Sequence, residues 1–197
     1  MTDVLKRIWS HWMQSNLHPL DPPHAWRIAR GSSSDASFCR TLARLQIRTA
    51  VDLRRAGRCD GAKGTIDFKT LGIEYHNLHL RSSDLPHPEP LLKFSQLLDA
   101  APRPLLLYCK RGKDKTGFGS ALYRHLVRRE PLDVAWQQLR WIPFGHRPAK
   151  HRGPHRFRLL LQEQQPTDLL QWIQHDYPGI FQRGVDRGEI RPVLASG

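Results

Sequence analysis

The sequence predicts an α/β fold, a single domain in which a mostly parallel central sheet is flanked by helices. Between residues 26 and 129, segments with a strand pattern alternate with segments of helical periodicity, which is typical of a parallel sheet covered on both faces. The stretch "PLLLYC" at 104–109 is the most apolar strand of the chain. With 197 residues, 39% of them hydrophobic, the chain is long enough for one domain with a proper core.

The predicted elements follow one another in the order expected of such a chain. Strands are expected at 26–31, 48–55, 72–80 and 104–109, and helices at 35–47, 91–101, 116–129, from Pro131 onward and across 167–181. Ser33 or Ser34 is the N-cap of the first of these helices, and proline suits the first position of the fourth. Residues 56–72 are predicted as a loop with a short helix. The basic stretch at 145–158 is predicted as a loop that leads into a helix.

The chain is divided into three parts of one domain. Residues 1–25 are predicted as a basic amphipathic helix, and its apolar face is formed by Leu5, Ile8, Trp9, Trp12 and Met13. Such a helix lies on a membrane or docks on its own domain, and docking is favoured here. Residues 26–145 form the core, and residues 146–197 form a basic helical extension of the same domain.

The formal net charge of +13 predicts an acidic partner, although solubility alone also accounts for it. The charge by itself does not choose among nucleic acid, an anionic membrane surface and a phosphorylated substrate. The three cysteines form no CxxC pair, and an odd count argues against a disulfide framework. Because there is no apolar run of about 18 residues and no apolar signal region at the start, the predicted compartment is the reducing cytoplasm.

A cysteine and a cluster of cations follow the most apolar strand, in the stretch "CKRGKDKTG" at 109–117. A strand, a short glycine-bearing loop and a helix point several backbone N–H groups at one spot, to which the helix dipole adds positive charge. Phosphate dianions bind such spots. The same positive field favours the thiolate of Cys109, which becomes a nucleophile where a phosphate would lie.

A Walker-type nucleotide loop, G-x-x-x-x-G-K-[ST], is excluded at two positions. Gly112 and Lys113 fit the terminal G-K pair, but Asp114 stands where serine or threonine is required. The first glycine of that motif would fall on Leu107. The loop is therefore not predicted to bind a nucleotide in this way.

The loop resembles the phosphate loop of the cysteine-dependent protein tyrosine and dual-specificity phosphatase superfamily, which reads H-C-x-x-G-x-x-R-[ST]-G. Cys109, Gly112, Thr116 and Gly117 match this pattern, and a looser resemblance extends over residues 26–144. The resemblance implies hydrolysis of a phosphate monoester through a phosphocysteine intermediate on Cys109, without a metal or other cofactor. It also implies a set of phosphate-binding loop residues: Lys110, Arg111, Gly112, Lys113, Asp114 and Lys115.

Two positions depart from the pattern of the superfamily. Tyr108 stands in place of the histidine before the cysteine, and Lys115 in place of the arginine that ends the loop. Arginine grips two phosphate oxygens with a planar fork, whereas lysine is a point charge. Arg111 occupies a position whose side chain usually points outward from the superfamily loop, so it is not expected to replace the missing arginine. The alternative to a cysteine-dependent phosphatase is therefore a phosphate-binding pseudophosphatase that recognises a phosphorylated partner with little turnover.

The resemblance further implies a general acid on a separate loop upstream of the cysteine. Asp84 in "RSSDLPHPEP" lies 25 residues before Cys109 and takes this role. Asp52 is the competitor, but an aspartate within a strand is expected to tie down a neighbouring loop instead. Thr116 is expected to hydrogen-bond the sulfur of Cys109 as that sulfur leaves the phosphoenzyme.

The predicted partner is a phosphorylated protein or another anionic phosphorylated substrate. A nucleic acid is supported by charge alone, without a binding motif, and peripheral contact with a membrane stays open. His76, His79 and His87 do not have the spacing of a ligand pair on a helix, so no metal site is predicted.

Overall fold

The computed structural model describes residues 15–31, 33–60 and 65–191. In these ranges the strands are β1 (His18–Asp21), β2 (Ala25–Ala29), β3 (Thr49–Asp52), β4 (Glu74–Asn77) and β5 (Leu105–Cys109). The helices are α1 (Asp35–Arg44), α2 (Pro88–Ala100), α3 (Asp114–Leu126), α4 (Leu132–Ala135), α5 (Gly153–Gln164), α6 (Leu169–His175) and α7 (Tyr177–Asp186), with a 3₁₀ helix at Trp136–Leu139.

The five strands form one sheet in the order β1-β2-β5-β3-β4. β5 lies at the centre and runs parallel to both β2 and β3, and β3 runs parallel to β4. Only β1 is antiparallel to its neighbour among the described strands. The predicted α/β fold with a mostly parallel sheet is confirmed, and the carboxyl ends of four strands meet at one edge of the sheet, where ligands of such folds bind.

Side chains of β5 alternate between two hydrophobic cores, as the period of a strand requires. Leu105, Leu107 and Cys109 belong to the larger core, which α2, α3 and the C-terminal helices cover. Leu106 and Tyr108 belong to the smaller core, which α1 covers. Cys109 and Tyr108 therefore project from opposite faces of the sheet.

The C-terminal helices are part of the larger core. Phe157 of α5 packs edge-on against Phe118 of α3 with ring centroids 5.5 Å apart, and against Tyr177 of α7 at 5.3 Å. The indole N–H of Trp136 donates to the carbonyl oxygen of Pro154 at 3.1 Å. Aromatic rings bury large apolar areas, so residues after 145 contribute to the same core as the sheet.

The prediction of a helix over residues 1–25 falls largely on residues 1–14, which lie outside the described ranges. Where the chain is described, His18–Asp21 is a strand that the sequence reading did not predict. Pro19 is compatible with this strand because β1 is an edge of the sheet, where a residue without an N–H donor is tolerated.

Two helical predictions in the second half of the chain also need correction. The single helix expected across 167–181 is two helices, α6 and α7, with Asp176 between them and Pro178 in the first turn of α7. A proline inside one continuous helix would remove a hydrogen bond and clash with the preceding turn. Pro131 is the residue before α4 rather than its first residue, and α4 gives way to the 3₁₀ helix after one turn. None of the described helices is long and apolar enough to span a lipid bilayer.

Candidate active site

Cys109 is the last residue of β5, and only four residues separate it from the start of α3. The thiol-bearing residue is 6% exposed. Gly112 in the intervening loop has φ of +64°, and a Cβ there would lie 2.9 Å from the backbone nitrogen of Ala29. Only glycine fits both the left-handed conformation and the close approach. The loop therefore turns tightly against β2, and the first turn of α3, whose N–H groups lack intrahelical acceptors, begins beside Cys109.

The carbonyl oxygen of Gly112 is held by two buried donors from the beginning of the chain. It accepts a 2.6 Å hydrogen bond from Nη2 of Arg27 and a 2.8 Å hydrogen bond from Nδ2 of Asn16. The same amide of Asn16 also donates to the carbonyl oxygen of Phe144 at 3.1 Å. These contacts tie the loop to β2 and to the segment after the 3₁₀ helix.

Arg27 is a site residue that the sequence reading missed, because an arginine in a strand is ordinarily exposed. Its side chain is fully buried, lies 4.1 Å over the ring of Phe144, and donates to the side chain of Gln138 at 2.8 Å. No carboxylate of the described residues forms an ion pair with it. Burial lowers the pKa of Arg27 to about 9, and the charge of Cys109 opposes this shift. Arg27 is thus a buried cation that donates to Gln138 and Gly112 and interacts electrostatically with Cys109.

Lys115 is the second cation near the sulfur. It is partly buried in the first turn of α3. Burial lowers its pKa to about 8, the charges of Cys109 and Asp52 oppose this shift, and Arg55 and Arg58 reinforce it. At neutral pH the ammonium group therefore remains charged, although its pKa lies much closer to neutrality than that of an exposed lysine.

The other cations of the predicted loop are placed differently. Lys110 and Arg111 are exposed to solvent. The side chain of Lys113 extends across Gly145, where an added Cβ would lie 2.9 Å from Cε of the lysine. Among the lysines of the described loop, only Lys115 interacts electrostatically with Cys109. Arg27 beneath the loop does so as well.

Asp114 was predicted as a phosphate-binding residue, but its side chain is engaged elsewhere. Its Oδ1 lies 2.8 Å from Nδ1 of His146, and its Oδ2 lies 3.2 Å from Nε2 of His151. Burial opposes ionisation of this carboxyl, but the hydrogen bond from His146 and the nearby His151 outweigh it and lower the pKa of Asp114. The side chain of Asp114 therefore anchors the start of α3 to the basic segment at 145–158. The backbone N–H of Asp114 remains available to a phosphate.

Thr116 is fully buried one position after Lys115. Its hydroxyl has no hydrogen-bond partner among the described residues, so the predicted hydrogen bond to the sulfur of Cys109 is not formed in this state. A buried hydroxyl without a partner is costly. The hydroxyl is therefore available to a group that arrives in the site.

Tyr108, which replaces the usual histidine, points away from the loop into the smaller core. Its hydroxyl is buried without a hydrogen-bond partner among the described residues. Burial, together with the charges of Asp52 and Asp60, raises the pKa of Tyr108 well above its ordinary value. The phenol therefore stays neutral and contributes no charge near the thiol.

Asp52 ties down the loop that follows β3, as the sequence predicted. Its carboxylate accepts hydrogen bonds from Nε of Arg54 at 2.8 Å and from the backbone N–H of Asp60 at 3.0 Å. Asp60 in turn pairs with Arg54 at 2.8 Å and with Arg30 at 3.1 Å. The hydroxyl of Tyr75 also donates to Asp52. A carboxylate with this many donors, in a fully buried residue, is a structural anchor.

Asp84 lies on the loop between β4 and α2 and is 8% exposed. Its Oδ1 accepts a 2.5 Å hydrogen bond from Nη1 of Arg156, and its Oδ2 accepts one of 3.1 Å from the backbone N–H of Arg191. Nη2 of Arg81 lies 3.8 Å from Oδ2. The structure thus pairs Asp84 with arginines of its own loop and of the C-terminal extension. None of its described partners belongs to the loop at 109–115.

The loop of Asp84 and the start of α5 are packed against each other. The N–H of Gly153 donates to the carbonyl oxygen of Ser82 at 3.0 Å, and a Cβ on Gly153 would lie 2.0 Å from the carbonyl oxygen of Asp84. The hydroxyl of Ser82 lies 3.2 Å from Nδ1 of His151. Because His151 also contacts Asp114, the loop of Asp84, the basic segment at 145–158 and the start of α3 are in contact with one another.

Of the three histidines considered for a metal, His79 has a described interaction with Lys115 of the candidate loop. Burial, followed by the charges of Lys115, Arg55 and Arg81, lowers the pKa of His79 to about 4. The imidazole is therefore uncharged at neutral pH. Among the described residues no group of three His, Cys, Asp or Glu side chains is arranged to hold a metal ion.

No protein-family model and no curated protein matches the chain, but solved structures do. TpbA of P. aeruginosa is 23% identical, with a TM-score of 0.58 over 74% of this chain and 84% of TpbA. The core catalytic domain of the PP-IP phosphatase SIW14 from S. cerevisiae is 17% identical, with a TM-score of 0.55 over 88% of this chain and 93% of that domain. PTPMT1, solved in complex with PI(5)P, is 16% identical, with a TM-score of 0.55 over 76% of this chain and 99% of PTPMT1.

These similarities show that the chain has the fold of the cysteine-dependent protein tyrosine and dual-specificity phosphatases. The predicted resemblance is confirmed at the level of the fold.

Proposed function

We propose that the chain hydrolyses phosphate monoesters through a phosphocysteine intermediate on Cys109. The observation that carries the proposal is the meeting of three features at one point of a phosphatase fold: the buried thiol at the end of β5, the N-terminal turn of α3, and the ammonium group of Lys115, whose charge interacts with that of Cys109. Positive charge and helix N–H groups favour a thiolate and an incoming dianion alike.

In the first step the thiolate of Cys109 attacks phosphorus. A sulfur–phosphorus bond forms, and the bond from phosphorus to the leaving oxygen breaks. Lys115 and the N–H groups of the loop balance the charge on the equatorial oxygens, and a general acid protonates the leaving oxygen. In the second step water attacks phosphorus, the sulfur leaves as a thiolate, and the hydroxyl of Thr116 donates a hydrogen bond to it. Inorganic phosphate then dissociates.

Asp84, on the loop at 81–87 that we call the acid loop, is the proposed general acid, and it would also take the proton of the attacking water. Its Oδ1 accepts hydrogen bonds from Arg156 and from the N–H of Leu85, which occupy both lone pairs of that oxygen. Its Oδ2 accepts one hydrogen bond, from the N–H of Arg191, and keeps a lone pair that can carry the proton. Asp52 is a poor rival, since protonating it would disrupt the contacts that fix the loop after β3.

The substrate is proposed to be a phosphorylated protein or small molecule. Solved structures of similar fold bind phosphorylated ligands: TpbA with a cysteine-to-serine change is in complex with pTyr, and PTPMT1 is in complex with PI(5)P. Cys39, Cys59 and Cys109 are all free thiols, which fits a reducing compartment such as the cytoplasm.

Hydrolysis of para-nitrophenyl phosphate by the full-length protein tests the proposal. The wild type should release phosphate, Cys109→Ser should release none, and Cys39→Ser should behave as the wild type. Phosphate in solution should also protect Cys109 from alkylation. If the wild type binds phosphate at the loop but turns over no substrate, the pseudophosphatase replaces the enzyme as the function. Turnover that survives Cys109→Ser would refute the mechanism.

A further inference from the structure

A cavity of about 480 Å³ lies between the acid loop and the segment that leads into α5. Its charged lining consists of five cations and one carboxylate: Arg81, Lys150, Arg152, Arg156, Arg191 and Asp84. The volume is that of a site for a small molecule. Because lysine and arginine side chains only donate hydrogen bonds, the lining suits a ligand rich in acceptor oxygens.

The charges in this cavity are not balanced by the protein. Asp84 is the partner of Arg81 and Arg156. In the described part of the chain, no carboxylate forms an ion pair with the side chains of Lys150, Arg152 or Arg191. Like charges that face one cavity repel each other, and a bound anion relieves that repulsion. The cavity therefore favours an anion more strongly than an isolated surface arginine does.

The cavity adjoins the candidate loop. His151 stands between Lys150 and Arg152 and contacts Asp114, the first residue of α3, at 3.2 Å. Lys115, the residue after Asp114, interacts with Cys109. On the other side, Arg81 of the cavity and Lys115 of the loop both act on His79. A single contact, between His151 and Asp114, thus separates the cavity lining from the first residue of α3.

We propose that this cavity binds a second phosphate group of the substrate, so that the preferred substrates carry two phosphates on one small scaffold. The inference rests on the proposed function for the first phosphate, which is assigned to the loop of Cys109. Arginine forks and an ammonium group match phosphate oxygens. Two phosphates on one scaffold bind more tightly than one, because the second contact is intramolecular.

Binding to the full-length Cys109→Ser protein tests this without any need for turnover. We would titrate a series of linear alkane bisphosphates of increasing chain length, and the matching monophosphates, in a calorimeter. At the best length the bisphosphate should bind about tenfold or more tightly than the monophosphate. In Lys150→Met/Arg152→Met on the same background, this ratio should fall to near one. A ratio near one in the parent, at every length, would overturn the proposal.

Arg40→Met/Arg44→Met is the matched control, because it removes the same charge from exposed positions of α1, on the opposite face of the sheet. The control should keep the parent ratio, and an equal loss in both double variants would refute a local site.

Vesicles that contain a phosphoinositide bisphosphate identify a lipid source if their binding also depends on Lys150 and Arg152. Equal dependence with phosphatidylserine vesicles would instead indicate a general anionic surface and overturn the proposal. If the wild type shows no hydrolysis that depends on Cys109, the proposed function is refuted, but the preference of the Cys109→Ser protein for bisphosphates is unaffected.

Discussion

The guanidinium group of Arg27 donates a 2.6 Å hydrogen bond to the carbonyl oxygen of Gly112, the glycine that turns the candidate loop. One buried cation therefore holds the loop in shape and interacts electrostatically with Cys109. In this chain the residue before the cysteine is a neutral tyrosine that points into the other core. The two cations whose charges interact with that of Cys109 therefore lie on different elements: Arg27 on β2, beneath the loop, and Lys115 in the first turn of α3.

Replacement of Arg27 should reduce the reactivity of the thiol. Arg27→Met should slow alkylation of Cys109 by iodoacetamide at pH 7 by about tenfold, because a nearby positive charge is lost. Arg27→Lys, which keeps the charge, should lose less. Arg44→Met removes an exposed charge from α1 and should change nothing. Mass spectrometry of the labelled cysteines measures the rates, with Cys59 as the internal reference. Equal rates for Arg27→Met and the wild type would exclude a role for this charge.

Lys115 should impose an alkaline limit on activity. Its pKa is lowered from the ordinary value of a lysine to about 8, so the cation is present below this pH and is lost as the pH rises through it. The value of kcat/KM for para-nitrophenyl phosphate should fall above about pH 8. Arginine remains charged, so Lys115→Arg should extend the plateau to higher pH. The same alkaline limit in both proteins would assign it to another group.

The identity of the general acid can be tested through the leaving group. Asp84→Asn should lower turnover of phosphotyrosine, a poor leaving group, by roughly 10²-fold or more. It should affect para-nitrophenyl phosphate much less, since that leaving group barely needs a proton. Measurement of kcat for both substrates decides the point. Equal loss on both, or loss on neither, would place the acid elsewhere.

The network around Asp52 should contribute to stability. Asp52→Ala leaves Arg54 with Asp60 as its remaining carboxylate partner and removes the acceptor for the N–H of Asp60 and the hydroxyl of Tyr75. Each buried donor left without its acceptor costs about 1–3 kcal/mol. Asp67→Ala is the control, because Asp67 is exposed and bonds only locally to Thr70. Urea denaturation should show a large loss for the first variant and almost none for the second. Similar midpoints for the two variants would contradict a structural role for Asp52.

Tyr108→Phe should leave the protein as stable as before or slightly more stable. The hydroxyl of Tyr108 is buried without a partner among the described residues, and removing such a group relieves a cost of about 1–3 kcal/mol. Its removal should also leave alkylation of Cys109 unchanged, because the two side chains lie on opposite faces of the sheet. A clear loss of stability in thermal unfolding would show that the hydroxyl has a partner in solution.

Local patterns were sufficient to predict much of the fold. The apolar run of β5 and the N-cap Ser34 are read from a few neighbouring residues. The close packing of Gly117 against the 3₁₀ helix, where a Cβ would lie 2.8 Å from the carbonyl oxygen of Gln138, depends on a contact between separate elements. The short strand β1 was missed because four residues with a proline carry almost no periodic signal.

The candidate site was predicted less completely, because several of its contacts join distant parts of the chain. Arg27 gave no signal, since the sequence does not show that the 3₁₀ helix and the Gly112 turn would enclose it. The contacts of Asp84 with Arg156 and Arg191 span 72 and 107 residues. The sequence predicted Asp114 as a phosphate-binding loop residue, and only the fold shows that its carboxylate contacts His146 instead.

The contact between Gly153 and the acid loop has a consequence for how the chain can be shortened. A fragment that ends at residue 145 would retain Cys109, Lys115 and Asp84, and it would therefore contain every residue to which the proposed mechanism gives a role. It would lack Arg156 and Arg191, which donate to Asp84, His146, which contacts Asp114, and the ring of Phe157, which packs against α3. Such a fragment would expose apolar surface and leave Asp84, of its described contacts, with only those to Arg81 and to the N–H of Leu85. We therefore expect the C-terminal residues to belong to the same cooperative folding unit as the thiol, so that trimming them would remove part of the fold.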